Sequence, residues 1–163
     1  MRHAVAYPHD ADRWPDDTRR PLTPQGEEVF REAARGLRLL APSVRVILSS
    51  PYPRAWRTAE VLHEEAGWPE PVAAPGLEKE RTPAEMLEDV EGRLDHGSLA
   101  VVGHEPALTE LASTLLAGDT RLRIDLDKGG AMAMALEVAS ASKPRRAELR
   151  WLVTQRVLRS LAR

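Results

Sequence analysis

Apolar residues along the chain fall into segments of helical and strand-like periodicity, separated by proline- and glycine-rich breaks. Val29, Phe30, Ala33, Ala34, Leu37 and Leu40 recur at helical spacing behind Thr23, a ready cap, and Pro24, which suits a first helical position; Pro42 closes this helix. VRVILSS, from Val44 to Ser50, is a β-branched, apolar run that predicts a buried strand ended by Pro51. A second helix is predicted from about Arg54 to Ala66, terminated by Gly67 and Pro69, and VAAP after it reads as a short strand. Thr82, Pro83 and Glu85 make a capping box for a helix carrying Met86, Leu87, Val90 and Leu94. SLAVVGH, from Ser98 to His104, predicts another buried strand, and Pro106 begins a helix with Leu108, Leu111, Ala112, Leu115 and Leu116 on one face. AMAMALEV and AELRWLVT read as two strands around a polar turn at Ser140 to Arg146, followed by a short basic helix. The stretch from Pro8 to Pro21, with aspartates at 10, 12, 16 and 17, is predicted as loop.

Strands that alternate with helices imply an α/β fold, a mostly parallel central sheet with helices on both faces. With 163 residues and 42% hydrophobic content, the chain can bury one substantial core, so residues 1–163 are expected to form a single domain. The absence of cysteine excludes disulfides, thiolate metal sites and thiol nucleophiles. Basic and acidic residues nearly balance, 23 against 25, with no long block of either sign, so neither a nucleic-acid partner nor a membrane partner is expected. No apolar run approaches the roughly 20 residues of a membrane span, and a signal peptide's apolar core is missing. The expectation is a soluble, cytoplasmic protein.

In such sheets, ligands bind beyond the carboxyl ends of the strands, which directs attention to the strand-to-helix junctions. LSSPYPRAWRTAE delivers Arg54 and Arg57 at a helix start, where free backbone amides also favour anions. VVGHEPAL places His104 in the turn after a strand, with Gly103 permitting close approach of a ligand. Arg2 and His3 join them from the amino end. An arginine clamps phosphate oxygens and an imidazole attacks phosphorus, so the set suits phosphate chemistry. His9, His63 and His96 read as ordinary exposed or hydrogen-bonded histidines. The four aspartates of the first loop imitate an acidic metal loop, but their spacing fits no hand motif and a flexible polar loop is the better reading.

RHA at the start, RPLTPQG from Arg20, SSPYPRAWRTAEVL from Ser49, VVGHEPAL from Val101 and KGGAMAMAL from Lys128 occur in one particular order. In that order and spacing the chain resembles the histidine phosphatase superfamily, most closely its small SixA-type branch, the phosphohistidine phosphatases. The resemblance implies a phosphoglycerate mutase-like three-layer sandwich. It also implies His3 as the nucleophile, with Arg2, Arg54 and His104 around the phosphoryl oxygens, and neither metal nor other cofactor. Lys128 would lie at the pocket rim or be a plain surface lysine. Glu78 is the positional candidate for a proton donor, with Glu80 and Glu105 behind it, and all three also read as solvated carboxylates. SixA-type members often have a Pro-Gly turn where this chain has Lys79 and Glu80. Arg20 and Thr23 are expected to be structural, and Arg57 to face solvent or support Arg54.

Chemistry then sharpens the expectation. A neutral His3 is needed for attack, and two nearby guanidiniums should lower its pKa; His104 helps most when protonated, by the bound dianion rather than in the empty site. Expelling an imidazole needs less protonation than expelling an alkoxide, so a phosphorylated protein carrying phosphohistidine is the first substrate expected. A small phosphoester, or a catalytically weakened phosphate-binding module, are the alternatives. Only Met1 and Arg2 precede His3, so either the central strand is a stub continuing through Ala4, Val5 and Ala6, or an upstream segment is missing. A free α-amino group there would add positive charge beside the phosphate.

Overall fold

Capping chemistry sets most of the element boundaries in the structure, a computed structural model that describes residues 1–94, 97–137 and 146–163. Helix α1 spans Pro24–Leu40, and the Thr23 hydroxyl accepts from the Gly26 amide at 2.9 Å. Strand β1 is Val46–Ser49, and helix α2, Pro53–Ala66, ends at Gly67 in the left-handed region, φ +70°. Strand β2, Pro71–Ala73, leads through a short 3-10 turn at Pro75–Leu77 to helix α3, Pro83–Glu91, which carries the predicted capping box. Strand β3 is Leu99–Val102 and helix α4 is Ala107–Ala117, with Pro106 as its cap rather than its first residue. Strands β4, Ala131–Leu136, and β5, Ala147–Val153, pair antiparallel, and helix α5, Gln155–Leu161, follows behind a Thr154 cap. Leu94 lies past the end of α3. His96 and the predicted polar turn, apart from Arg146, lie outside the described residues.

The sheet order is β2-β1-β3, all parallel, and β4-β5 form a separate antiparallel pair. Between them runs the amino-terminal stub. His3 N donates to the Gly103 carbonyl at 3.1 Å and Gly103 N to Met1 at 3.2 Å, while on the other side Arg2 N donates to Gly130 and Gly129 N to the His3 carbonyl. Arg2 and Gly103 make a parallel bridge, so the stub continues the sheet between the end of β3 and the start of β4. A short segment therefore occupies a central place, and its backbone hydrogen bonds hold it on both edges.

Alternation along β1 divides the core. Ile47 faces one apolar cluster with Phe30, Leu37, Ala55, Leu62 and Leu158, built on α1, α2 and α5. Leu48 faces the other, with Leu77, Met86, Leu108, Leu111 and Leu115, built on α3 and α4. The result is an α/β architecture with helices on both faces of a parallel sheet, as the pattern predicts. Among the described residues, no helix is long and apolar enough to cross a membrane.

The first loop is more structured than its composition suggests. The Asp10 carboxylate accepts from the amides of Asp12 and Arg13, and Asp16 caps a 3-10 turn at Asp17–Arg19. Among the described residues, no group of three or more His, Cys, Asp or Glu side chains is placed to share a metal ion.

Candidate active site

The carboxyl ends of β1, β3 and the stub converge, and they bring two imidazoles together. The rings of His3 and His104 lie 5.2 Å apart between centroids, inclined by 58°. His3 is 6% exposed and His104 3%. The His3 ring is fixed by its own neighbour: Nδ1 lies 2.7 Å from the Ala4 carbonyl oxygen. A carbonyl can only accept, so Nδ1 carries the proton and Nε2 keeps its lone pair. Ala4 is itself held, since its amide donates to Thr58 Oγ1 at 3.0 Å and that hydroxyl donates to the Arg54 carbonyl at 2.7 Å. The backbone beside His3 is thus tied to the first turns of α2.

Arg54 enters from the start of α2 and is 1% exposed. Its Nη1 donates to the Asp17 carbonyl at 2.7 Å and Nη2 reaches the Asp17 carboxylate at 3.4 Å, while Nε has no partner. The guanidinium carbon also sits 5.3 Å from the centroid of Tyr52, whose ring packs 5.1 Å from that of His104. Arg2 donates from Nη1 to the Leu126 carbonyl at 3.1 Å, and its buried Nε is unpartnered. His104 shares a 2.9 Å hydrogen bond through Nε2 with Ser50 Oγ, and its Nδ1 is buried without a partner. Unpaired buried donors on cationic side chains are costly in isolation and point to an anion that would complete them.

Burial sets the protonation of this cluster. Desolvation lowers the His3 pKa to about 3, with the charges of Arg54, Arg2 and Arg20 adding to it against the Ala4 hydrogen bond. Burial, rather than the two guanidiniums expected from the sequence, is the larger cause. Desolvation likewise lowers His104 to about 2, helped by His3, Arg54 and Lys79 and opposed by Asp17. Both rings are neutral in the empty site. The Met1 amine is also buried, donates to the Val101 carbonyl at 2.5 Å, and is lowered to about 5 by desolvation, so at pH 7 it is neutral. The positive charge expected of it is therefore missing.

Both imidazoles titrate near 6.5 when unfolded, so between that pH and about 3 the unfolded chain binds more protons than the folded one. Stability is then greatest above pH 6.5 and falls as the pH drops. The thermal unfolding midpoint, followed by circular dichroism, is expected to decline steadily across this window, with a loss on the order of a few kcal/mol. A midpoint that holds constant from about pH 7 to pH 4 would contradict the buried neutral pair.

The remaining candidates separate. Lys128 is exposed, one residue before the Gly129 amide that donates to the Arg2 and His3 carbonyls, which puts its backbone beside His3. Glu78 pairs with Arg81 at 3.2 Å, and its charge is felt at Tyr52, so it stands at the border of the site. Glu105 accepts from Thr109 Oγ1 at 2.6 Å and is pushed up mainly by desolvation, with Arg2 opposing. Arg57 lies outside the site: it binds Glu27, Glu60 and Glu64 and couples α1 to α2. Arg20 ties down the loop through the Asp17 carboxylate and the Tyr7 carbonyl, and its charge also reaches His3. His63 is occupied by the Trp68 carbonyl. Ser50, Tyr52, Asp17 and Lys79 escape a reading of the sequence, because serine, tyrosine and aspartate in turns are commonplace.

A family model described as the histidine phosphatase superfamily (branch 1) matches residues 1–82. An uncharacterized protein from Picosynechococcus sp. is 33% identical over 138 residues, covering 82% of this chain and 81% of its own. The chain belongs to the histidine phosphatase superfamily. Two solved structures of lower identity share its fold. The protein histidine phosphatase SixA complexed with tungstate superposes with a TM-score of 0.78 at 23% identity, covering 97% of this chain and 96% of that one. A phosphoserine phosphatase mutant from Entamoeba histolytica, in complex with phosphoserine, gives 0.67 at 15% identity, with 94% of each chain covered. In this superfamily member the cluster of His3, His104, Arg2 and Arg54 forms at the sheet edge where the parallel fold places ligands.

Proposed function

We propose that this histidine phosphatase removes phosphoryl groups through a phosphohistidine intermediate on His3, with protein phosphohistidine as its substrate. The observation that carries the reading is the fixed tautomer of His3, whose free Nε2 belongs to a ring packed against His104 and ringed by guanidinium charge. In the first step the Nε2 lone pair forms a bond to phosphorus while the bond to the leaving group breaks and its electron pair departs with that group. Arg2, Arg54 and His104 offset the charge on the equatorial oxygens, the part a divalent ion plays in other phosphoryl transferases. A bound dianion favours the protonated form of His104, which the empty pocket disfavours, so phosphate uptake and proton uptake are coupled. Water then attacks phosphorus, the bond to Nε2 breaks, and inorganic phosphate leaves.

Two features support phosphohistidine as the substrate. Glu78, the candidate acid, already accepts from Arg81, which suits a leaving group needing little protonation. An imidazole, with a conjugate-acid pKa of about 6.5, is such a group, whereas an alkoxide is not. The fold shared with a phosphoserine phosphatase keeps a small phosphoester as the second reading. Hydrolysis of a phosphohistidine peptide and of an aryl phosphate by the same preparation separates the two. The peptide is expected to be the better substrate by kcat/KM, with His104→Ala slowing it by about a hundredfold or more. Equal or greater efficiency on small phosphoesters would favour the second reading, and no turnover on either would leave a phosphate-binding module.

A further inference from the structure

The segment between β2 and α3 packs against the turn that carries His104 and is pinned on both sides of Lys79. A Cβ placed on Gly103 would stand 3.4 Å from the Leu77 carbonyl oxygen, so residue 77 lies directly over the turn that carries His104. On the upstream side the Gly76 amide donates to Asp89 at 2.7 Å. Downstream, Arg81 pairs with both Glu78 and Glu85, and Glu85 closes the capping box on Thr82. Between these anchors Glu80 adopts φ +74°, the left-handed region that side chains other than glycine rarely enter. Backbone strain of this kind persists where surrounding contacts impose it, and it accompanies functional sites.

Lys79 stands at the apex of this turn. It is exposed, and among the described residues no carboxylate pairs with it, although Glu78 and Glu85 are both engaged nearby by Arg81. Its charge nonetheless registers at His104 and at Asp17, two residues from different sides of the pocket. The carboxylate that its charge reaches, Asp17, is already bound by Arg20 and Arg54, so the Lys79 ammonium is left to attract a further negative group beside a pocket that carries two guanidiniums. In the phosphatase reading the phosphoryl group itself is met by Arg2, Arg54 and His104.

We propose that Lys79 determines specificity by engaging a second anionic group of the substrate, adjacent to the phosphoryl group. The assignment rests on the phosphatase reading above and adds to it the charge of the preferred substrate. That second group comes either from an acidic residue flanking a phosphohistidine in a protein, or from a carboxylate within a small phosphoester. Both sources offer Lys79 the same chemistry.

The test compares two matched pairs of substrates in wild type and Lys79→Glu. One pair is a phosphohistidine peptide with glutamate flanks and one with lysine flanks; the other is 4-carboxyphenyl phosphate and phenyl phosphate. The readout is the ratio of kcat/KM within each pair, in which any loss of folded protein or of the phosphoryl chemistry common to both members cancels. Wild type is expected to favour the more acidic member of one pair about five- to tenfold, and Lys79→Glu to abolish or invert that preference. The pair that responds identifies the source of the anion. A preference missing from wild type in both pairs, or unchanged by Lys79→Glu, overturns the assignment. If wild type hydrolyses none of the four, the phosphatase reading fails separately, and calorimetric titration of the same ligands decides the role of Lys79 by the same ratios.

Discussion

His3→Ala is expected to abolish covalent phosphate trapping and to lower turnover by about four orders of magnitude or more, the scale seen when a nucleophile is removed. The Ala4 carbonyl 2.7 Å from Nδ1 leaves only Nε2 available as an electron-pair donor, and the ring is too buried to turn outward. His104 is held through Nε2 by Ser50 Oγ, and the proposed mechanism gives it the equatorial oxygens rather than the bond to phosphorus. Radiolabelled phosphate captured by acid quenching of wild type, and absent from His3→Ala, is the direct measurement. A stability readout should move the opposite way. Removing a buried ring whose pKa is held at about 3 removes one source of acid sensitivity, so the pH profile of the melting temperature should be shallower in the variant. Equal labelling in wild type and His3→Ala would place the intermediate elsewhere and end the proposed mechanism.

The sequence showed the fold more clearly than the site. Helices α1 to α4 and strands β1 and β3 carry their own periodicity and caps, so Thr23, Gly67 and the Thr82 capping box mark boundaries that the structure keeps to within a few residues. The stub is different. Met1 to His3 offers no periodicity, and its place in the sheet depends on Gly103 and on Gly129 and Gly130, far along the chain. Such pairing is non-local and leaves no trace in a window of sequence. Arg2, His3, Arg54 and His104 were legible as phosphate chemistry at strand ends, and the structure gathers them. Asp17 was not, because an aspartate in a polar loop gains meaning only when Arg54 and Arg20 reach it from separate segments. Lys79 likewise reads as a surface lysine until Leu77, two residues before it, is seen to pack against the turn that carries His104.

Arg54→Ala is expected to reduce kcat by about a hundred- to a thousandfold, the usual cost of losing one preorganised donor to a transition-state oxygen, while the protein stays folded. The guanidinium is 1% exposed, and desolvation lowers its pKa from the ordinary value. A charge kept so dry repays little to stability by itself: its one close partner is the Asp17 carbonyl, and the carboxylate at 3.4 Å is shared with Arg20. With Arg54 gone, Asp17 keeps its 2.7 Å bond to Arg20 Nε, so no carboxylate is left unpaired. The fold should therefore lose far less than the reaction does. Arg54→Lys separates charge from geometry. A lysine retains the positive charge but not the planar fork that can span two phosphoryl oxygens, so it should recover only a minor part of kcat. Phosphate or tungstate affinity, read by calorimetry, should weaken in both variants, and more in alanine than in lysine. Were Arg54→Ala to keep kcat within about tenfold of wild type, a buried guanidinium beside the two imidazoles would have to be explained as scaffolding, and the charge needed at the transition state would fall to Arg2 and His104 alone.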